Sequence, residues 1–289
     1  MNLLFGFLLL LSLPVMANTS LKTQIEDIDY PSKSGEPILV FLKSGNVLKI
    51  TGAKANLLKE VEEFEVSHAV VEISYDANRE IISIDERETP FSFAPLIPAN
   101  KSMSIQEPYV PSLLPDLNFA KKLFFDHRKA KNGETQCFNR AAVWAYEWRL
   151  KDKIYSNKIW IFFTKKYIRK YNFEWWFHVA PMVNVIVDGK IKERVMDMKY
   201  ARGPISVKLW SDIFMKDDAN CPVVTKYTDH ANFPESNTCF IQKSSMYYHQ
   251  PIDLEIQERF GNERTGWVIP EIRAAYEEAF GIVTKSGEI

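Results

Sequence analysis

The chain has 289 residues and is electrostatically balanced, with 36 Lys and Arg residues against 37 Asp and Glu residues. This balance offers no basic surface for nucleic acid or for an anionic membrane, so we expect neither as a partner. At this length the chain can bury one large core or two ordinary ones.

Residues 1–17 are predicted to be a secretory signal peptide. An apolar run from Leu3 to Leu13 is followed by Pro14 and by the small-residue pattern Val15-Met16-Ala17, which favours cleavage after Ala17. No later run approaches the ~20 apolar residues that span a bilayer. We therefore expect the mature protein to be secreted or periplasmic and free of the membrane once the signal peptide is removed.

Residues 18 to about 86 are predicted to form a small α+β unit. Its β-rich and helical runs are Ile38–Leu42, Asn46–Thr51, Lys54–Phe64, Ser67–Tyr75 and Glu80–Ile84. We place His68 in a strand and interpret it as a packed or exposed side chain, because no second His or Cys stands at metal-ligand spacing. Six prolines between Pro90 and Pro115 then predict an extended domain boundary that a protease can reach.

A helix capped by Asp116 and running to about Ala130 is predicted next, with His127 near the end of its inner face. A second helix follows within Glu134–Trp148, with Thr135 as its expected N-cap. Its apolar residues follow the spacing of one buried face, while four polar residues lie off that face: Asn139, Arg140, Glu147 and Arg149.

Cys137 stands in the first turn of this second helix. Unpaired backbone N–H groups and the helix dipole stabilise a thiolate there, which makes the sulfur a usable nucleophile. The alternative is that Cys137 is a small buried hydrophobic residue, the commonest fate of a free cysteine. Cys221 and Cys239 flank a polar loop, so we pair them in a disulfide and leave Cys137 as the free thiol, which favours the catalytic interpretation.

A β-hairpin is predicted after a buried strand at Lys158–Phe163. Asp188-Gly189 separates two β-rich runs, and Pro181 in the first run indicates a bulge or an edge position. With a two-residue turn, Val187 faces Lys190 and His178 faces Lys199, which makes Asp197 a diagonal neighbour of His178. A register shifted by one residue would pair Val183 with Val195 and move Asp197 to the other face, so both registers stay open.

Further along the chain, Ile205–Met215 is expected to be a helix or mixed segment around Trp210, and Ser244–His249 a short strand. Pro270–Phe280 is predicted to be a helix that Gly281 ends. His230 and His249 have no partners at metal spacing, so we assign both to structure and expect no metal and no cofactor.

Cys137, His178 and Asp197 together offer the nucleophile, base and orienting acid that cysteine acyl transfer requires. Each alone has a simpler interpretation: His178 as an aromatic-flanked core histidine, and Asp197 as a turn-capping residue at a strand end. Backbone N–H groups at the helix start, with the Gln136 side chain as a weaker candidate, would hold the oxyanion. Trp175 and Trp176 would wall the substrate groove, unless they serve in packing.

In these residues the sequence resembles the bacterial secreted protein-glutamine glutaminases, or protein deamidases. The similar motifs are Cys137-Phe138-Asn139-Arg140-Ala141, Trp176-Phe177-His178-Val179-Ala180, Glu193-Arg194-Val195-Met196-Asp197 with Gly203-Pro204 and Trp210, and Tyr247-Tyr248 with Pro251. The chain departs from the family pattern at Ala142, where members carry a histidine, and at Met198, where they carry a proline.

The resemblance implies an α+β fold with a papain-like or transglutaminase-like core, in which an antiparallel sheet packs on the nucleophile helix. It implies a zymogen with an inhibitory pro-region at 18–105 and a catalytic domain at 106–289. The expected activity is hydrolysis of protein-bound glutamine to glutamate and ammonia by a monomer, with proteins or peptides that expose glutamine as substrates. Alternatives are a transglutaminase or a cysteine protease with the same triad, and a non-enzymatic exported binding protein.

Overall fold

The computed structural model describes residues 19–52, 54–87, 109–131, 135–216, 220–227 and 238–284. The predicted signal peptide, most of the proline-rich boundary and His230 lie outside these residues. The fold is α+β, as expected, and the described residues form two compact units. The first unit takes its residues from 1–42 and 48–89, and the second takes its residues from 43–47 and 90–289.

The first unit contains two three-stranded sheets and one helix. Its elements are β1 (Thr19–Thr23), β2 (Ile25–Asp29), β3 (Ile38–Leu42), β4 (Val47–Ile50), α1 (Ala55–Ser67), β5 (Val71–Tyr75) and β6 (Ile81–Glu86), in the sheet orders β1-β5-β6 and β2-β3-β4. The sequence interpretation missed β1 and β2. It was also wrong for His68, which ends α1 with φ 53° instead of lying in a strand.

The second unit is built on a six-stranded sheet with the order β10-β9-β8-β12-β11 and with β7 paired to β9. Its elements are β7 (Leu113–Leu114), α2 (Leu117–Phe125), α3 (Cys137–Asp152), β8 (Asn157–Phe163), α4 (Lys165–Tyr171), β9 (Phe177–Val187), β10 (Lys190–Val195), α5 (Val207–Phe214), β11 (Val223–Val224), β12 (Cys239–Ser245), α6 (Pro251–Phe260) and α7 (Ile269–Phe280).

Helix α3 is buried on every side from Cys137 to Arg149. The four residues expected off the buried face are instead 3–7% exposed, because α7 packs on the helix as well as the sheet. Among them, the carboxylate of Glu147 accepts hydrogen bonds from Arg128 and Tyr276. The N-cap is Gln136, without a side-chain cap, and not Thr135 as predicted.

The hairpin of β9 and β10 adopts the two-residue register, with Val187 opposite Lys190 and Val195 opposite Met182. Asp188 and Gly189 both have positive φ, as a type I′ turn requires. The shifted register is therefore wrong, and so is the pairing of His178 with Lys199, since β10 ends at Val195.

Pro181 explains where β10 ends. The β10–β9 pairs end at Met182, so Pro181 is paired to β8 alone, which confirms the predicted edge position; the described pairs of β9 show no bulge there. The Pro181 carbonyl accepts the N–H of Met196, but proline has no N–H to return to the ladder. The chain leaves the sheet there and turns at Asp197, whose carbonyl accepts the N–H of Ala201 at 2.8 Å.

Other predicted elements are recovered with shifted ends. Asp116 caps α2 through Phe119 N–H, although α2 ends at Phe125 and not near Ala130. The predicted strand at Ser244–His249 is wrong, because β12 ends at Ser245 and a turn follows. The Cys221–Cys239 disulfide is confirmed, and Cys137 is the free cysteine. No helix in the described part of the chain has the length and apolar character of a membrane span.

Candidate active site

Cys137 opens helix α3 and points into the core between the helix and the sheet. It is 8% exposed and shares a hydrophobic cluster with Phe138, Trp160, Phe177 and other residues. Cys137 lies in the first helical turn, where backbone N–H groups have no acceptor within the helix. The sulfur is therefore slightly exposed and lies at the end of the helix that carries unpaired backbone N–H groups.

His178 and Asp197 form a buried hydrogen-bonded pair beside Cys137. Nε2 of His178 lies 2.7 Å from Oδ2 of Asp197, and both residues are at most 3% exposed. The Cys137 thiol hydrogen-bonds the His178 side chain and the backbone of Val179. Because Nε2 is engaged by Asp197, Nδ1 is the ring nitrogen left for the sulfur. The structure thus brings together the three residues that the sequence suggested.

In this group, hydrogen bonds and neighbouring charges oppose the effect of burial on each pKa. Burial alone would raise the pKa of the Cys137 thiol, but the hydrogen bond and the charge of His178 hold that pKa below its usual range. Burial would lower the pKa of His178, but the charge of Asp197 and its hydrogen bond raise it to about 9. Burial would likewise raise the pKa of Asp197, and His178 and Trp210 keep it low. These shifts all favour the ion pair of a Cys137 thiolate and a His178 imidazolium.

The indole of Trp210 donates a hydrogen bond to Oδ2 of Asp197 at 2.9 Å, and Lys199 N–H reaches Oδ1 at 3.3 Å. Trp210 is fully buried on α5, whose first turn is capped by Ser206. The sequence interpretation did not include Trp210 among the site residues, although the family resemblance contained it. Its indole N–H fixes the carboxylate that orients His178.

Aromatic rings enclose the His178 imidazole. Trp175 stacks on it with ring centroids 6.1 Å apart, Tyr200 meets it edge-on at 5.1 Å, and Phe214 lies at 4.7 Å. Trp176 instead packs against Phe177 at 4.6 Å. The two tryptophans expected to wall a groove therefore differ: the structure places Trp175 against the imidazole and Trp176 against the aromatic core.

Gln136, the side-chain oxyanion candidate, directly precedes Cys137 and is half-buried. Its Oε1 accepts a hydrogen bond from Nδ2 of Asn139 at 3.1 Å, and its backbone N–H donates to Glu278 of α7 at 3.0 Å. Neither Asn139 nor Glu278 was among the predicted site residues. Glu278 lies 142 residues from Gln136 in sequence, and no local pattern indicates such a pair.

A second buried polar cluster lies near His249. Arg264 binds Glu271 through two hydrogen bonds of 2.9 and 2.7 Å and Asp253 through one of 2.8 Å.

Lys158, fully buried in β8, donates to the carbonyl of Tyr248, and its burial lowers its pKa to about 7. Burial, followed by the charges of Lys158 and Arg264, holds the pKa of His249 well below its usual range. His249 is therefore a neutral ring, packed on Phe138 at 5.2 Å.

The parts of the chain that the structure describes contain no candidate metal site. No group of three or more His, Cys, Asp or Glu side chains there has a geometry suited to a metal ion.

Comparison with known proteins adds to this geometry. A family model described as glutaminase matches residues 118–214, which contain Cys137, His178, Asp197 and Trp210. A crystal structure of pro-protein-glutaminase is 14% identical, covers 91% of this chain and 92% of its own, and superimposes with a TM-score of 0.52. At 14% identity, the similarity between the two structures shows a shared fold. No curated protein sequence matches the chain.

Two further solved structures are similar. The A47Q2 mutant of pro-protein-glutaminase is 15% identical over 81% of this chain and 85% of its own, with a TM-score of 0.48. The NMR structure of protein-glutaminase from Chryseobacterium proteolyticum is 11% identical over 52% of this chain and 91% of its own, with a TM-score of 0.33.

The match of residues 118–214 to this family model supports a hydrolase that acts on amides. More particularly, residues 118–214 match the glutaminase family model, in agreement with the resemblance found in the sequence.

Proposed function

We propose that this protein is a secreted deamidase of protein-bound glutamine, made as a zymogen, with Cys137, His178 and Asp197 as its catalytic triad. The observation that carries the proposal is the buried chain of hydrogen bonds from the Cys137 thiol through His178 to Asp197, at the start of helix α3. This arrangement supplies an ionised nucleophile, a general acid and base, and a group that fixes the tautomer.

In the proposed reaction the Cys137 thiolate attacks the γ-carboxamide carbon of a glutamine side chain. Backbone N–H groups at the start of α3, including that of Cys137, and the Gln136 side chain stabilise the oxyanion. His178 gives its proton to the departing nitrogen, so ammonia leaves and a thioester remains. His178 then takes a proton from water, which attacks the thioester and releases glutamate and the thiolate. Asp197 and Trp210 keep the imidazole oriented throughout.

Residues 43–47 support the zymogen proposal. They lie within the predicted pro-region, yet they belong to the second compact unit. Gly45 O accepts the N–H of Trp176 at 2.9 Å, and Val47 N–H donates to Glu174 O at 2.8 Å. This pairing lies directly before His178 in the chain. Removal of the pro-region would take residues 43–47 away and free the backbone beside Trp175, which stacks on His178.

Secretion is proposed from the apolar leader at residues 1–17 and from the Cys221–Cys239 disulfide, which is typical of an oxidising compartment. The substrate is then a protein or peptide that meets the enzyme outside the cytoplasm and exposes glutamine.

The test measures ammonia release from an intact glutamine-rich protein by full-length chain, by chain cleaved between residues 86 and 115, and by a cleaved Cys137→Ser variant. We expect release only after cleavage and only with the thiol, together with glutamine-to-glutamate conversion in the substrate by mass spectrometry. No release from a folded, cleaved sample would overturn the proposal.

The same samples separate the alternatives. A transglutaminase would crosslink substrate through lysine amines, and a cysteine protease would create new chain termini. A non-enzymatic binding protein would leave Cys137 unreactive to iodoacetamide at about pH 6, where an ordinary thiol is protonated.

A further inference from the structure

The turn before Cys137 is held by a closed ring of hydrogen bonds among three residues, which involves their side chains and the backbone N–H of Gln136. Glu278 accepts the backbone N–H of Gln136 on Oε1 and the Asn139 amide on Oε2, both at 3.0 Å. The second hydrogen of the Asn139 amide goes to Oε1 of Gln136 at 3.1 Å. Each donor in this ring meets an acceptor, so the orientation of all three side chains is fixed.

This ring controls both groups that we assign to the oxyanion. It directs Oε1 of Gln136 toward Asn139, so the donating Nε2 end of that amide is the end left for a substrate. It also anchors the backbone N–H of Gln136, one residue before the N–H of Cys137. Oxyanion donors must be held in place before the reaction, because a donor that reorients loses most of its effect.

We propose that Glu278, on the last turns of α7, is a positioning residue that holds the oxyanion donors of Cys137 in their productive geometry. The inference rests on the proposed function, because it assumes that an oxyanion forms beside Cys137. Glu278 touches neither the sulfur nor the substrate; it acts through Gln136 and Asn139.

The charges around Glu278 make this role dependent on pH. Burial raises the pKa of the Glu278 carboxyl, and the hydrogen bonds from Asn139 and Gln136 oppose that rise, followed by the charges of Lys131 and Arg140. As the pH falls, the carboxyl takes up a proton and can no longer accept at both oxygens. The ring then opens.

Glu278→Gln tests the role with little change in shape. A glutamine there presents an NH₂ group to one of the two donors, which opens the ring. We expect kcat for ammonia release to fall about 10-fold to 100-fold, less than the ~10²- to 10³-fold loss when an oxyanion donor is removed. KM and the rate of Cys137 alkylation by iodoacetamide should not change. Glu277→Gln, at an exposed neighbouring position, is the matched control and should match the unsubstituted protein.

Two further readouts separate positioning from a purely structural role. The ratio of kcat between unsubstituted protein and Glu278→Gln should narrow as the pH falls, because protonation of Glu278 opens the same ring. Amide hydrogen exchange at Gln136, measured by NMR, should be faster in Glu278→Gln than in Glu277→Gln.

The outcomes distinguish this inference from the proposed function. Unchanged kcat and unchanged exchange at Gln136 in Glu278→Gln would overturn the inference while the deamidase proposal stood. A parallel loss of kcat and of Cys137 alkylation would also overturn it, since Glu278 would then act on the thiol or the fold. Absence of ammonia release from unsubstituted, cleaved protein would overturn the deamidase proposal, and exchange at Gln136 would still test the ring. If Glu278→Gln does not fold, a rise of Gln136 exchange in unsubstituted protein at low pH, relative to its intrinsic rate, decides the question.

Discussion

His178 and His249 are both buried in the second unit, and both lie beside the first turn of α3, yet their surroundings give them different charge states. His178 faces the carboxylate of Asp197 and the thiol of Cys137, so its protonated form is stabilised. His249 is buried beside the cations Lys158 and Arg264, so its neutral form is stabilised. Burial opposes the charged form in both cases, and the sign of the nearest charge decides the outcome. The comparison shows that a histidine's role follows from its partners.

The largest expected difference is in kcat/KM, between the variant that replaces His178 by glutamine and the variant that replaces His249 by glutamine. His178→Gln removes the acid and base, so kcat/KM should fall on the order of 10⁴-fold or more, as for members of other catalytic triads. His249→Gln removes a packed ring and should leave kcat/KM close to that of unsubstituted protein. Kinetics of ammonia release by the cleaved forms provide the measurement. Equal losses in the two variants would remove the functional distinction between the two rings.

A smaller effect, of about 10²- to 10⁴-fold on kcat, is expected for Asp197→Asn, which takes the nearest negative charge from His178. Without that charge, burial lowers the pKa of His178, and the opposing effect of Cys137 is the smaller one. The high-pH limb of the kcat/KM profile, which should lie near pH 9 in unsubstituted protein, should therefore move to lower pH. Loss of imidazolium causes this limb, because the departing nitrogen needs its proton. A high-pH limb that stays in place would show that Asp197 does not set the charge of His178.

The smallest effect concerns stability at low pH. The pKa of His249 is lower in the folded than in the unfolded protein, so the unfolded chain binds the extra proton and folding weakens as the pH falls below about 6.5. Each pH unit costs up to ~1.4 kcal/mol from this group until its folded pKa is reached.

His249→Gln removes that component. Between pH 7.5 and pH 5, its free energy of unfolding by urea should fall less than that of unsubstituted protein. The same loss in both would indicate that His249 is already protonated in the fold. Glu277→Gln serves again as a surface control, because its side chain is exposed on α7.

Much of this molecule follows from local sequence. Asp188-Gly189 predicted the hairpin, since both residues accept the positive φ of a type I′ turn. Gly281 predicted the end of α7 for a similar reason, and Asp116 the start of α2. The free thiol at a helix start, followed by a histidine and an aspartate on one hairpin, led to the candidate site.

What could not be predicted depends on partners distant in sequence. The polar residues of α3 follow the pattern of a solvent face, but α7 and Arg128 cover them, and no periodicity in α3 reveals that cover. The chain leaves the sheet after Val195 because Pro181, on the neighbouring strand, has no backbone N–H to continue the ladder. The ring around Gln136 needs Glu278, and the neutrality of His249 needs Lys158 and Arg264, both on other elements.

The separation of 142 residues between Gln136 and Glu278 also bears on how the protein folds. A contact that closes so long a loop must first overcome its entropy, so it forms after the local hairpin of β9 and β10 has paired. We therefore predict a stage of folding in which Cys137, His178 and Asp197 have met while the turn before the thiol is not yet fixed. Such an intermediate would react with small alkylating agents before it could turn over a substrate. During refolding, recovery of thiol reactivity should precede recovery of turnover, and the interval between them would measure the docking of α7.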